Sequence, residues 1–253
     1  MLYFITVGDI QSNSLINRLL RSAPYGRPLS LGDLSKYGVS ALLAAKYART
    51  GWLERLGPGL YRLPSGRLDR DQCLLVLQKK IDSLHVGGKA ALAWQGVRHN
   101  VSRVEVLTLW GDERVALPTW FTQEFPSTYR APRLFDDRTA TKGLFTPPDV
   151  TPGVRVSVRE RALLELLRDA GAQQDFEEAH NLFMVAQGLR LNVLGELLQG
   201  CTSVKTVRLF LLWARQAGEV NIEKLEQRFK LPTGSNSRWI GKLADGTTLV
   251  LPA

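Results

Sequence analysis

LSLGDLSKYGVSALLAAKYARTGWLERLGPGLYRL, residues 29–63, decides how this chain folds. Its punctuation marks a short helix, a turn, a second helix and a two-stranded ribbon. Ser30 stands at an N-cap position, and Asp33 three residues on can bond back to it as in a capping box. Leu31 and Leu34 give the short helix an apolar side. Gly38 ends it at a left-handed position, Val39 plugs the turn, and Ser40 caps the next helix. That second helix is expected over about 41–50 and stops at Gly51, with Leu42, Leu43, Ala45 and Tyr47 able to face inward. Trp52, Leu53 and Leu56 then precede Gly57-Pro58-Gly59, and Leu60-Tyr61-Arg62-Leu63 completes a hairpin around a tight turn. This is the order of a winged helix-turn-helix, a module whose second helix enters a DNA groove.

The charge agrees with that reading. Residues 1–68 carry nine Lys and Arg against three acids, a net +6 out of the chain's +9. The other 185 residues are nearly balanced, with 24 basic and 21 acidic side chains. A positive surface confined to one module favours a polyanionic partner over general basicity. Lys46 and Arg49 lie three apart on one side of the second helix. Arg55 and Arg62 project from the ribbon, with Arg67 just past it, and Ser40 and Tyr47 can donate to phosphate oxygens. These seven residues are the expected DNA contacts. A membrane surface would also accept such charge, but no long basic amphipathic helix is present. No stretch approaches the roughly 18 apolar residues of a membrane span, and the first ten residues lack the pattern of a secretory signal. A cytoplasmic protein is expected.

With 253 residues, of which 44% are hydrophobic, the chain has room for two domains. The expected division is a DNA-binding domain over 1–66 and an α+β domain over 67–253. Residues 1–11 are β-prone, and a first helix is expected from Ser12 or Ser14 to about Ala23. Helical periodicity returns over about 69–83, and a short helix is expected over 90–95. Four β-prone runs follow, at 103–110, 119–125, 128–135 and 155–158. Ser157 and Glu160 have capping-box spacing ahead of the apolar stripe Ala162, Leu163, Leu166, Leu167. Further helices are expected at 175–187, 191–199 and 203–217, and a closing hairpin turns at Asp245-Gly246. The fold class is therefore α+β: a winged helix-turn-helix, then a larger domain, β-rich first and helical second.

Several of these segments resemble one known family, the AbiEi-type antitoxins of type IV toxin–antitoxin systems. They are GVSALLAAKYARTGWLERLGPGLYRLPSG, HVGGKAALAWQGVRHNV (85–101), VRERALLELL (158–167), and LLQGCTSVKTVRLFLLWARQAG (197–218) with the tail KLPTGSNSRWIGKLADGTTLVLP. They span nearly the whole chain in order. The resemblance implies a regulator that binds double-stranded DNA at inverted repeats in its own promoter and represses the operon. It also implies a C-terminal domain that counters a nucleotidyltransferase-like toxin without holding it in a stable complex. Paired half-sites can be filled by a homodimer or by monomers binding cooperatively.

Other signals point to structure rather than chemistry. Gly87-Gly88-Lys89 lacks the upstream Gly and the following Ser/Thr of a phosphate loop, and reads as a turn before a helix. His85, His99 and His180 are scattered, Asp136-Asp137 reads as a loop tip, and Cys73 and Cys201 sit in apolar patterns as core thiols. Arg155, Arg159, Arg161 and Arg168 could extend the DNA footprint from the second domain, but they are interleaved with Glu160, Glu165 and Asp169 and read better as a solvated face. Lys205 and Arg208, three apart with no acid between Thr202 and Gln216, form a possible second basic patch. No catalytic or metal constellation stands out, and no cofactor is expected. Two other classes stay open: a nucleic-acid-associated enzyme of nucleotide transfer, marked by clustered carboxylates or histidines, and a transcription factor without antitoxin activity.

Overall fold

A computed structural model describes residues 7–64, 66–99 and 105–252. Of the β-prone start expected over 1–11, residues 1–6 lie outside them, as do the first two residues of the run at 103–110; residues 7–11 belong to a helix and not to a strand. The chain forms two compact units, one reaching to Lys80 and including Pro118–Glu124, the other made of Ile81–Leu117 and the chain from Phe125 on. The expected division after Gly66 falls within the first unit.

The first unit begins with α1 (Val7–Ser22). This helix runs through both Ser12 and Ser14, so neither serine marks its start. Then come β1 (Leu29–Ser30), α2 (Leu31–Ser35), α3 (Ala41–Arg49), β2 (Glu54–Gly57), β3 (Leu60–Arg62) and α4 (Arg70–Lys80). β1 pairs antiparallel with β3, and β3 with β2. Two residues are too few to signal a strand by alternation, so β1 was not legible in the sequence. The core gathers Ile16, Leu19 and Ala23 from α1 with Leu29, Leu34, Val39, Ala44, Tyr47, Leu53, Tyr61 and Leu63. Each fully buried Leu or Ile there contributes about 1.5–3 kcal/mol.

The second unit holds β4 (His85–Val86), α5 (Gly88–Trp94) and β5 (Leu107–Trp110). The chain then supplies α6 (Thr119–Glu124), which belongs to the first unit. That segment was expected as a strand. Its aromatic residues suit either state, but Pro118 opens a turn whose carbonyl accepts from Phe121 and Thr122, and Phe121 is fully buried. β6 (Ser127–Arg130), β7 (Leu144–Phe145) and β8 (Val156–Ser157) complete a mixed sheet in the order β6-β5-β4-β8-β7. Helices α7 (Arg159–Asp169), α8 (Phe176–Val185), α9 (Leu191–Gln199), α10 (Val204–Ala217) and α11 (Ile222–Arg228) follow, then the antiparallel hairpin of β9 (Trp239–Lys242) and β10 (Thr248–Leu251). The α+β class and its β-then-α order are as expected. Among the described residues, no helix is long and apolar enough to cross a membrane.

Helix α7 is buried from Glu160 to Leu167, charges included. Glu165, fully buried, accepts from His85 Nε2 at 2.9 Å, Gly88 N at 2.9 Å, Arg161 Nε at 2.8 Å and the Ser157 hydroxyl at 2.9 Å. Burial would raise its pKa. The His85 ring, the Arg161 charge and the Gly88 amide outweigh that and hold it below the ordinary value. Arg161 also donates to the carbonyls of Ala140 and Lys142, at 2.8 and 2.7 Å, so it is a core residue and not part of a solvated face. Ser157 and Glu160 do not form a capping box. Val158 holds the N-cap without a side-chain bond, Ser157 turns to Glu165, and Glu160 takes the Arg190 guanidinium at 2.9 Å. Gly87 is the N-cap of α5, and Gly88 and Lys89 form its first turn, so Gly-Gly-Lys opens the helix itself instead of forming a turn ahead of it.

The remaining chemistry-bearing side chains have separate structural partners. His180 stacks edge-on against Trp213 with centroids 4.9 Å apart, and His99 Nε2 lies 3.2 Å from the Asn181 amide. Asp136 accepts from the Thr139 hydroxyl at 2.6 Å. Burial pushes the Cys73 thiol up to about 12 and the Cys201 thiol up to about 11, as core positions would.

Candidate nucleic-acid interface

The interface is built from a capped helix and a glycine turn. Ser30 Oγ accepts from Asp33 N at 3.1 Å, and Asp33 Oδ2 accepts from Ser30 N at 3.1 Å, which is the full capping box. Burial tends to raise the Asp33 pKa, but the Ser30 bonds and the charges of Arg27 and Lys36 prevail and lower it. At the other end Val39 N reaches Leu34 O at 3.1 Å and Gly38 N reaches Ser35 O at 2.9 Å. These are the two bonds of a Schellman turn, and they require Gly38 at φ +82°. Leu34 and Val39, the apolar pair of that turn, both enter the core. The turn thereby sets the direction in which α3 leaves.

Ser40 caps α3 by accepting from Leu43 N at 3.2 Å. Ala44 and Tyr47 are buried, and Leu43 and Ala48 pack partly against the core. The opposite face carries Leu42, Ala45, Lys46 and Arg49, all exposed, at the i, i+3, i+4, i+7 spacing of one helical side. Lys46 and Arg49 therefore project together, as the sequence implied. Leu42 and Ala45 were expected to face inward and do not; Leu42 is 80% exposed. Residues 41–45 are apolar on every side, so periodicity did not choose the phase; the Tyr47 ring, in the core, does.

Tyr47 is corrected in turn: at 3% exposure it packs the core and is not a phosphate donor. Ser40 is exposed, and a capping hydroxyl that accepts still has its hydrogen to give. In the wing, the register places Glu54 opposite Arg62 and Arg55 opposite Tyr61, with an irregularity before Gly57. Gly59, at φ +66°, makes the tip possible. Arg55 and Arg67 are exposed. Arg62 is held by Glu54 at 2.5 Å, so a phosphate would have to displace that carboxylate.

The second basic patch does not form. Lys205 Nζ points at the carbonyl end of α7, donating to Ala170 O at 2.6 Å and Arg168 O at 3.3 Å. Burial, with the Arg168 charge, pulls its amine down to about 8. Arg208 is buried and donates to the carbonyls of Thr233, Ser235 and Ser237 at 2.5–2.6 Å. Both cations fasten backbone. Their spacing on one helical side was right, but that side faces inward.

Comparison with known proteins places residues 12–250 of the chain. Residues 12–103 match the family described as the N-terminal domain of the AbiEi antitoxin transcriptional regulator. Residues 104–250 match the family described as transcriptional regulator, AbiEi antitoxin, type IV TA system. No curated protein matches. Among solved structures, the crystal structure of the RV2827C protein from Mycobacterium tuberculosis is similar over 92% of this chain and 89% of its own, with a TM-score of 0.55 and 13% identity. At that identity the likeness is one of fold.

Proposed function

We propose an operator-binding autorepressor, starting from the fact that this chain belongs to the AbiEi family, the antitoxin transcriptional regulators of type IV toxin–antitoxin systems. Through α3 and the wing it holds inverted repeats in its own promoter. Its second unit counters a nucleotidyltransferase-like toxin without a lasting complex. One observation carries the DNA half: Lys46 and Arg49 share the exposed face of a helix set by a capping box and a glycine turn, in the module that carries most of the net charge. Lys46 and Arg49 lie at the groove, and Ser40, Arg55 and Arg67 lie along the phosphates. Arg62 joins them only by exchanging Glu54 for a phosphate.

The two halves separate in one experiment. Full-length protein carrying Lys46→Ala and Arg49→Ala is expressed beside a reporter of its own promoter, and separately beside the toxin gene. The expected result is loss of repression with toxin rescue intact. Each lost contact costs about 1–3 kcal/mol of DNA binding, enough to empty the operator. Unchanged repression would show that α3 does not read the operator. Loss of rescue in a variant that melts like the wild type would show that the two activities are not divided between the units.

A further inference from the structure

We infer that Leu42 is a base-reading residue, which docks against the 5-methyl groups of thymines in the major groove. This rests on the operator-binding proposal and names what that surface recognises. Leu42 is the most exposed large hydrophobic side chain among the described residues, at 80%. It lies in the first turn of α3, where a recognition helix meets base edges, and it shares a face with Ala45, Lys46 and Arg49. Covering an apolar group of this size removes it from water, which favours a partner that offers an apolar group in return. The basic neighbours select a polyanion as that partner. The apolar group that duplex DNA offers in its major groove is the thymine methyl. The small Ala45 beside it lets the helix come close enough for the leucine to touch. Lys and Arg on the same face are suited to guanine O6 and N7, so the face as a whole calls for mixed half-sites in which thymine steps lie beside guanines.

The test uses the segment upstream of the gene, amplified once with dTTP and once with dUTP, so that the second duplex lacks every thymine methyl. Affinities of the full-length wild type and of Leu42→Ala are measured on both duplexes, with an unrelated duplex as reference. The wild type is expected to bind the uracil duplex at least about fourfold more weakly, the equivalent of one buried methyl group. Leu42→Ala should bind the thymine duplex about that much more weakly and no longer distinguish the two. Leu42 lies outside the core, so the variant should melt with the wild type. If Leu42→Ala still discriminates, or the wild type never does, the inference is wrong although operator binding stands. If Leu42→Ala weakens both duplexes equally and loses cooperativity, the leucine joins two copies of the chain, and the inference is again wrong. If the wild type prefers neither upstream duplex over the unrelated one, the operator-binding proposal falls and takes this inference with it.

Discussion

Residue by residue, burial sorts the charged side chains into two populations. Glu165, Arg161 and Arg208 are inside and each held by three or more hydrogen bonds, whereas Lys46, Arg49, Arg55 and Arg67 are outside. Sequence spacing saw both populations alike, because three-residue spacing finds a helical side without telling which side faces the core. Glu165→Gln keeps the shape and removes the charge, leaving Arg161 buried without its counter-ion. We expect a loss of about 3–5 kcal/mol, read as a drop in Tm on the order of 10 °C. The pH dependence follows from the lowered pKa of Glu165. Its contribution is complete above the ordinary value of 4.5 and is lost as pH falls from there through the folded value. Wild-type urea midpoints should therefore fall below pH 4.5 with a component that the glutamine variant lacks. An acid limb identical in both proteins would deny Glu165 this role. Arg208→Ala should lower stability by about 2 kcal/mol or more, since three carbonyls lose a charged donor, and leave the salt dependence of DNA binding unchanged. A flattened salt slope would return Arg208 to the DNA surface.

Among the elements, those with chemical punctuation were legible and those without were not. Ser30 with Asp33, Gly38, Ser40 and Gly59 each mark a specific backbone geometry, and α2, α3 and the wing lie where those residues place them. Helices α9 and α10 lie within a residue of where they were expected, and the structure adds a Ser203 cap at the start of α10. The two-residue β1 and the short α6 escaped, because pairing and burial, not local pattern, decide them. The face of α3 escaped for the same reason, since only the packing of Tyr47 reveals that Leu42 is outside. The turn itself makes a sharp prediction. Gly38 sits at φ +82°, and a Cβ there would come within 3.0 Å of Leu15 Cδ2. Gly38→Ala should cost about 1–3 kcal/mol and weaken operator binding by tilting α3. Thermal melts and binding titrations of the same sample check both effects. A variant as stable and as tight-binding as the wild type would mean that the turn does not set the helix.

At the scale of the molecule, charge and architecture divide along the chain in the same way. Most of the net charge lies in residues 1–68, inside the unit that carries the helix-turn-helix and the wing. The remainder of the chain is nearly neutral and organised around the mixed sheet, α7 and the helices that follow. Its internal network was hidden from the sequence because His85 and Ser157 meet through the pairing of β4 with β8, and Glu165, 80 positions from His85, joins them from helix α7. The proposed DNA binding thus rests on named side chains, while the second unit has a fold and a family. The central claim is that α3 reads the operator, and the most direct measurement is the affinity of full-length protein for its upstream DNA across about 50–200 mM salt. Wild type, Lys46→Ala/Arg49→Ala and Arg55→Ala are compared, with an unrelated duplex as reference. The account predicts that the double variant falls to the affinity it shows for unrelated DNA, and that Arg55→Ala flattens the salt slope by about one unit while keeping its preference for the operator. A double variant that still prefers the operator as the wild type does would contradict it.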